Sequence, residues 1–201
     1  DALNLLFERG KSMQEAVPVG KGSMLAVLGS SLEDINNYKD QLKSKGVCEV
    51  ANDNAEGQII VSGNSETIEE LKNILKINKK KSILLPVSAP FHCSLMNSAA
   101  DKMKKKIDNV NFKQPDFEII SNVTSLPTNN PENIRNLLVK QIFSKVRWRE
   151  SMLFMADNKI NNFIEIGPGK VLTGLVKRIL PSSKSFSINS IDDIKNLNNE
   201  S

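Results

Sequence analysis

The stretch Gly57-Gln58-Ile59-Ile60-Val61-Ser62-Gly63 decides the fold of the first half of the chain. Its apolar, largely β-branched centre lies between glycines, which predicts a short strand. Residues 47–51 predict a preceding strand, and residues 52–57, which are rich in Asn and Asp, predict the turn between the two. The other elements of this half can be placed around that pair of strands.

Strands and helices surround this pair in a regular order. The predicted elements are a strand over residues 23–28, a helix over 32–45, the two central strands, a helix over 64–76 and a strand over 82–87. The succession strand, helix, strand, strand, helix, strand is the ferredoxin-like, or split βαβ, pattern. We therefore expect a compact ferredoxin-like subdomain over residues 21–87.

The segments on either side of this subdomain also carry clear patterns. Apolar residues at helical spacing predict a helix over residues 2–16; these residues are Leu3, Leu6, Phe7, Met13 and Ala16. The later elements predicted are helices over 95–110, 131–143, 148–158 and 171–179, strands over 117–123, 162–166 and 186–190, and a polar tail. This alternation of helices and strands predicts an α/β fold with a parallel sheet.

The composition excludes several classes of function. The chain has a net charge of +4, but only 5% of its residues are aromatic, so the stacking residues typical of nucleic-acid binders are scarce. No apolar run approaches the about 18 residues that span a bilayer, and no secretory signal is recognisable. We expect a cytoplasmic protein with no nucleic-acid or membrane partner, whose charge suits an acidic partner or a phosphorylated substrate.

Cysteine and histidine are too few for most metal sites. Cys48 and Cys93 are far apart in sequence and neither lies in a CxxC pair, so we expect no metal, no disulfide and no cofactor. His92 is the only histidine of the chain. Its ordinary pKa of about 6.5 suits a general base, although most histidines have structural or surface positions.

Two other features allow two interpretations each. Arg9 lies near the middle of the first predicted helix, where an arginine usually faces solvent. The turn Gly167-Pro168-Gly169-Lys170 leads from a strand into a helix and could hold a phosphate at the helix N-terminus. It lacks the spacing of the Walker and dinucleotide motifs, which favours a tight structural turn.

Six segments taken together resemble one protein family. They are Arg9–Pro18, Gly57–Gly63, Pro86–Met96, Ser121–Val123, Val146–Trp148 and Glu165–Leu175. Their order and approximate spacing are similar to those of the malonyl-CoA:acyl carrier protein transacylases of type II fatty-acid synthesis. The resemblance extends along almost the whole chain.

The resemblance implies a fold and a set of catalytic roles. In that family a large α/β-hydrolase-like domain, here residues 1–20 and 88–201, contains the ferredoxin-like subdomain as an insertion. A serine attacks the malonyl thioester, and the residue that accepts its proton matches His92. The backbone carbonyl that orients this imidazole matches Gln141, and the arginine that pairs with the malonyl carboxylate matches Arg9.

The resemblance also implies contacts with the substrate. Met13 is expected to line the acyl pocket, and Asn52 and Asn54 match a polar turn on the substrate side. Phe91 matches the position before the histidine, where polyketide synthase acyltransferases of the malonyl type carry Phe. The partners implied are malonyl-CoA and acyl carrier protein, with no metal and no cofactor.

One part of the family pattern has no counterpart in the sequence. The nucleophile elbow Gly-His-Ser-Leu-Gly and the oxyanion-hole loop match no segment. We therefore expect the C-terminal two-thirds of an acyltransferase that moves malonyl from malonyl-CoA to the phosphopantetheine thiol of acyl carrier protein, and no turnover by the chain alone. The alternatives are a split-gene half that complements a missing N-terminal segment, and a catalytically dead piece that only binds acyl carrier protein.

Overall fold

The computed structural model describes residues 2–200, of which 198–200 are placed only as part of a helix. The chain is divided into two compact units, Asp1–Trp148 and Arg149–Ser201. Each unit combines helices with strands, so the chain has the α/β character predicted from its sequence. None of the helices within residues 2–200 is long and apolar enough to cross a membrane.

The first unit begins with a helix and then builds a sheet with two helices. Its elements are α1 (Ala2–Glu15), β1 (Gly22–Leu28), α2 (Leu32–Lys39), β2 (Cys48–Ala55), β3 (Gln58–Asn64), α3 (Ser65–Ile77), β4 (Lys81–Leu84), a 3-10 turn (Ser94–Met96), α4 (Asn97–Ile107), β5 (Ile119–Ile120), β6 (Pro127–Thr128) and α5 (Pro131–Lys140). Helix α2 starts with a reciprocal cap, in which Ser31 accepts from the Asp34 amide and Asp34 accepts from the Ser31 amide.

The main sheet has the strand order β2-β3-β1-β4, and each neighbouring pair is antiparallel. Alternate side chains of its strands point to one face, where they pack against α2 and α3. The buried residues of this cluster are Leu25, Val27, Ile35, Cys48, Ile59, Val61, Ile68, Leu71 and Leu75. Glu49, Ser62 and Met24 lie in register across the sheet with the opposite alternation, so they belong to the other face.

A second apolar cluster joins α1, α4 and the chain that follows α5. Its buried residues are Met13, Val17, Ala89, Met96, Ala99, Ala100, Met103, Ile107 and Ile142. The sequence correctly predicted α1, but only part of its apolar pattern is buried. Leu3 is 82% exposed, Phe7 is 71% exposed and Leu6 is also exposed, because Leu5 and Met13 form the packed side of the helix.

Several predicted boundaries differ from the structure. The predicted turn over residues 52–57 is wrong for its first part, because β2 continues to Ala55 and only Glu56 and Gly57 form the turn. The strand predicted over 117–123 is reduced to the two residues of β5, and the helix predicted to reach residue 45 ends at Lys39. The segment predicted as a polar tail after residue 190 forms a helix over residues 191–200.

The second unit is built around a parallel pair of strands. Its elements are α6 (Trp148–Asp157), which starts at the last residue of the first unit, β7 (Asn162–Ile166), α7 (Val171–Ile179), β8 (Lys184–Ile188) and α8 (Ile191–Glu200). Strand β7 pairs with β8 in parallel, with α7 as the connection between them.

The turn before α7 has its anion-binding groups already occupied. Glu165 accepts hydrogen bonds from the backbone amides of Leu172 (3.0 Å) and Thr173 (2.8 Å) and from the Thr173 hydroxyl (2.7 Å). Gly167 and Gly169 have φ values of 137° and 94°, a region that favours glycine. A carboxylate of the chain itself therefore holds the helix N-terminus, which supports the structural interpretation of this turn.

Candidate active site

The histidine lies in a turn that is anchored to the main sheet. Pro90, two residues before it, packs so closely on Gly22 of β1 that a Cβ atom at Gly22 would lie 2.3 Å from the proline Cγ. Cys93, the next residue, donates from Sγ to the Pro90 carbonyl oxygen at 3.1 Å and accepts from the Ser62 hydroxyl at 3.6 Å. The residues on both sides of His92 are thus fixed to β1 and β3.

His92 itself has an unusual backbone conformation. Its φ is 59°, which is left-handed and sparsely populated by residues other than glycine. Such a conformation costs on the order of 1–3 kcal/mol and persists where the surrounding structure stabilises it. The contacts of Pro90 and Cys93 provide that stabilisation, and the turn directs the imidazole towards the end of α5.

The orientation of the imidazole is set by one hydrogen bond. His92 Nδ1 lies 3.0 Å from the backbone carbonyl oxygen of Gln141. A carbonyl oxygen can only accept, so Nδ1 carries a proton and donates it. In the neutral ring Nε2 then has the free lone pair, which is the form that a general base requires.

The surroundings of His92 keep the ring neutral. Burial lowers its pKa below the ordinary value, the Gln141 carbonyl raises the pKa, and the positive charge of Arg9 lowers it further. The net direction is downwards, because desolvation of the imidazolium is the largest effect. At neutral pH the ring is therefore available to accept a proton.

Gln141 is placed by the end of α5 and by the chain beyond it. It is the C-cap of α5, where the last carbonyl groups of a helix lack partners within the helix. The next residue, Ile142, is fully buried in the second apolar cluster. Val146 then binds β2 in two places, donating to the Ala51 carbonyl (2.7 Å) and accepting from the Asp53 amide (3.0 Å).

Arg9 lies on the partly buried side of α1. Leu5 and Met13 are four residues before and after it, so the three side chains share one side of the helix. Met13 belongs to the second apolar cluster, and Leu5 packs against that cluster. Burial lowers the pKa of the guanidinium, and within residues 2–197 the structure gives it no ion pair or hydrogen bond. A partly desolvated guanidinium without an anion is a suitable site for a ligand carboxylate.

The structure thus brings His92, Gln141 and Arg9 together, and it places the other predicted residues less directly. Met13 is 3% exposed and lies inside the second apolar cluster, against which the half-buried Phe91 packs. Asn52 and Asn54 lie half-buried on β2, with Asn52 beside Val146. Neither asparagine side chain makes a hydrogen bond to another side chain or backbone group in the described part of the chain. A contact of Met13, Phe91, Asn52 or Asn54 with substrate stays a prediction.

One carboxylate near the histidine was missed by sequence reasoning. Glu49 of β2 accepts from the Ser94 backbone amide with Oε2 (2.9 Å) and from the Ser94 hydroxyl with Oε1 (2.5 Å). Ser94 begins the 3-10 turn that follows the histidine. The alternation of exposed and buried residues along a strand could have assigned Glu49 to a face, but no local signal links it to a residue 45 positions later.

Known proteins resemble this chain over nearly its whole length. No protein-family model matches the chain. A malonyl CoA-acyl carrier protein transacylase from Bacillus subtilis (strain 168) is 38% identical over 197 residues, which is 97% of this chain. The chain is homologous to the malonyl CoA-acyl carrier protein transacylases. It spans 62% of the length of this Bacillus relative.

Solved structures of transacylases agree with this homology. An acyl-carrier-protein S-malonyltransferase from Bartonella henselae is 39% identical and superposes with a TM-score of 0.93 over 98% of this chain and 63% of its own. A malonyl-transacylase in complex with the acyl-carrier protein of a type II polyketide synthase is 35% identical, with a TM-score of 0.93 over 98% of this chain and 65% of that one. The fold of this transacylase homologue therefore matches the folds of these two proteins over nearly the whole length of the 201-residue chain.

Proposed function

We propose that the chain carries the general base and the carboxylate-binding arginine of an acyltransferase that moves malonyl from malonyl-CoA to the phosphopantetheine thiol of acyl carrier protein. The observation that carries this proposal is the bond between His92 Nδ1 and the Gln141 carbonyl at 3.0 Å, with the charge of Arg9 acting on the same ring. This arrangement leaves Nε2 as a base and supplies a cation for the free carboxylate of the acyl group. The homology to transacylases supports the same assignment.

The histidine would serve both halves of a two-step transfer. In the first half, Nε2 accepts the proton of a serine hydroxyl while the serine oxygen attacks the malonyl thioester, and the proton then goes to the departing coenzyme A sulfur. In the second half, Nε2 accepts the proton of the phosphopantetheine thiol while its sulfur attacks the serine ester, and the proton returns to the serine oxygen. The serine belongs to a nucleophile elbow that the sequence of this chain does not contain.

Orientation by a backbone carbonyl suits this cycle. A carbonyl fixes the tautomer without adding a full negative charge, so the imidazolium is stabilised less than beside a carboxylate. The ring can therefore release the proton readily to the leaving sulfur. The positive charge of Arg9 acts in the same direction as long as no carboxylate neutralises it.

Arg9 would select the acyl group by its charge. A guanidinium can bind a carboxylate with two parallel hydrogen bonds, and malonyl carries such a carboxylate at its far end. An acetyl group would leave the guanidinium desolvated and unpaired, which is the condition that gives strong discrimination between substrates.

The finer features of the fold belong to the same proposal. We infer a ferredoxin-like subdomain over residues 21–87, inserted between the two segments of an α/β-hydrolase-like domain formed by residues 1–20 and 88–201. The antiparallel order β2-β3-β1-β4, with α2 and α3 on one face, is the arrangement expected of a split βαβ unit and supports the first part.

A chimeric enzyme tests the function. The region of the Bacillus subtilis relative that matches this chain is replaced by the 201 residues, and transfer of radiolabelled malonyl from malonyl-CoA to acyl carrier protein is measured. We expect transfer, and we expect the serine to be found malonylated when acyl carrier protein is omitted. A chimera that folds, shown by circular dichroism and cooperative unfolding, but never becomes malonylated would contradict the proposal.

The same experiment separates the proposal from a role in binding alone. That alternative depends on a basic face, but three lysines of α4 form ion pairs with acidic side chains: Lys102 with Glu15, Lys104 with Asp108 and Lys106 with Glu8. The face therefore presents less uncompensated positive charge than the sequence suggests. Salt-sensitive binding of acyl carrier protein to an inactive chimera would favour the binding role.

A further inference from the structure

The turn that carries His92 is held by the carboxylate of Glu49, a residue of strand β2. Glu49 accepts two hydrogen bonds from Ser94, at 2.9 Å from the backbone amide and at 2.5 Å from the hydroxyl. Both oxygens of the carboxylate are thus bound to one residue, two positions after the histidine. A carboxylate that accepts from two donors in this way fixes its partner in both position and orientation.

The neighbouring strand repeats this connection one residue earlier. Ser62 of β3 is the partner of Glu49 across the strand pair, and its hydroxyl donates to Cys93 Sγ at 3.6 Å. Adjacent residues of the turn, Cys93 and Ser94, are therefore bound by adjacent strands. Cys48 packs on the face of the sheet that meets α2 and α3, and the half-buried Glu49 lies on the opposite face. The turn that carries His92 covers this opposite face.

The hydrogen-bond partner of the imidazole is tied to the same strand. Val146, five residues after Gln141, donates to the carbonyl of Ala51 and accepts from the amide of Asp53. Ala51 and Glu49 are two residues apart on β2. Strand β2 thus holds both partners of the hydrogen bond: Glu49 binds the turn that carries His92, and Ala51 and Asp53 bind the segment that follows Gln141.

We propose that Glu49 is a positioning residue for His92, and that its two bonds to Ser94 hold the imidazole in line with the Gln141 carbonyl. The catalytic meaning of this role rests on the function proposed above, whereas the positioning itself does not. The left-handed backbone of His92, with φ of 59°, is a conformation that the turn keeps only while its flanks are fixed. Loss of the Glu49 carboxylate removes the two bonds to Ser94 from the flank that follows His92, which then keeps only the bonds of Cys93.

The role of Glu49 can be tested without an activity assay, because His92 is the only histidine of the chain. Nitrogen-15 NMR of the 201-residue chain gives one pair of imidazole signals, which report the tautomer and the protonation midpoint. We expect the native ring to be protonated on Nδ1 and to titrate below its ordinary range. In Glu49→Ala we expect a mixture of the two tautomers and a midpoint that moves up towards the ordinary value, since the ring gains solvent and loses its fixed partner.

Glu70 provides a matched control. Its carboxylate also accepts two hydrogen bonds from consecutive loop groups, the amides of Lys43 at 2.8 Å and Ser44 at 3.1 Å, but at the helix α3 side of the sheet. We expect Glu70→Ala to leave the histidine signals unchanged. An equal change in both variants, or an unchanged tautomer in a folded Glu49→Ala chain, would overturn the proposal.

Milder substitutions keep the test decisive if Glu49→Ala does not fold. Glu49→Gln retains one acceptor oxygen, and Ser94→Ala removes the hydroxyl bond while leaving the backbone bond. We expect both to give histidine signals between those of the native chain and of a free imidazole. A native histidine spectrum in both variants would contradict the proposal, which requires both bonds for the native position of the ring.

The chimeric enzyme then separates this proposal from the proposed function. Glu49→Ala is expected to lower kcat about 10- to 100-fold, with the KM for malonyl-CoA nearly unchanged, because a misplaced base slows the chemical step and not substrate binding. An inactive native chimera together with the expected NMR result would refute the function and retain the positioning role. An active chimera whose kcat does not respond to Glu49→Ala would refute the catalytic meaning of that role.

Discussion

Nδ1 of His92 lies 3.0 Å from the backbone carbonyl oxygen of Gln141, 49 residues later in the chain. This bond assigns the proton to Nδ1 and leaves Nε2 as the acceptor, so it fixes the chemistry that the ring can perform. It depends on two supports, the tight turn that places the histidine and the end of α5 that presents the carbonyl. The predictions below test these supports and the residues that act with them.

The partner of His92 is a backbone atom, so the side chain at position 141 should matter little. In the chimeric enzyme we expect Gln141→Ala to keep malonyl transfer within about threefold of the native rate. His92→Ala should lose about 10²- to 10⁴-fold, the range that removal of a general base usually costs. Single-turnover rates of serine malonylation measure both, and a larger loss in Gln141→Ala than in His92→Ala would contradict the carbonyl as the orienting group.

The positive charge of Arg9 should be visible in the titration of His92. Since this charge lowers the pKa of the ring, Arg9→Gln should raise the NMR midpoint of the histidine in the 201-residue chain. Lys11→Gln removes a positive charge from an exposed position of the same helix, so it is the control and should leave the midpoint in place. A fall of the midpoint in Arg9→Gln would show that the charge does not act on the ring as inferred.

The direction of the His92 shift also fixes a dependence of stability on pH. The pKa is lowered by folding, so the unfolded chain binds the proton more readily. The stability that this neutral, buried ring gives the folded chain is therefore fully present above the ordinary pKa of about 6.5. It is lost as the pH falls from there through the lower pKa of the folded chain. Urea unfolding of the native chain should become easier over this window, and His92→Gln should flatten the slope there. An identical slope in the two proteins would contradict the inferred direction.

Arg9 should determine the choice of acyl group in the chimera. We expect Arg9→Ala to reduce kcat/KM for malonyl-CoA about 10²-fold or more, because the carboxylate of the substrate loses its partner. Transfer of acetyl should be unchanged or faster, since the variant no longer buries an unpaired guanidinium. Arg9→Lys, which keeps the charge but not the bidentate geometry, should lie between the two. Equal losses for malonyl and acetyl would argue against a carboxylate site.

The sequence was most informative about features that depend on side-chain type. It was less informative about features that depend on backbone pairing between distant residues. The flanking motifs predicted roles for His92 and Arg9, which stay predictions, and the order of strands and helices in residues 21–87 followed from apolar patterns. The Asn-rich segment 52–57 was predicted as a turn because asparagine favours turns, but pairing with β3 and with Val146 keeps residues 52–55 extended. The bond of Glu49 to Ser94 joins distant residues of ordinary type, so no local pattern could indicate it.

The close packing of Pro90 on Gly22 gives a test of the turn itself. A Cβ atom at position 22 would lie within 2.3 to 2.9 Å of three ring atoms of Pro90, and the rigid ring cannot rotate away. We expect Gly22→Ala to destabilise the chain by about 1–3 kcal/mol, as overpacking of a core usually does, and to displace the histidine turn.

Gly10→Ala is the matched control, because nothing lies within 4 Å of the added atom and the residue is inside α1. That variant should be more stable by about 0.5–1 kcal/mol, since alanine favours a helix over glycine. Urea unfolding gives both free energies, and the histidine NMR signals should change in Gly22→Ala alone. Equal stability of the two variants would show that Pro90 can move without cost and that the close contact does not hold the histidine in place.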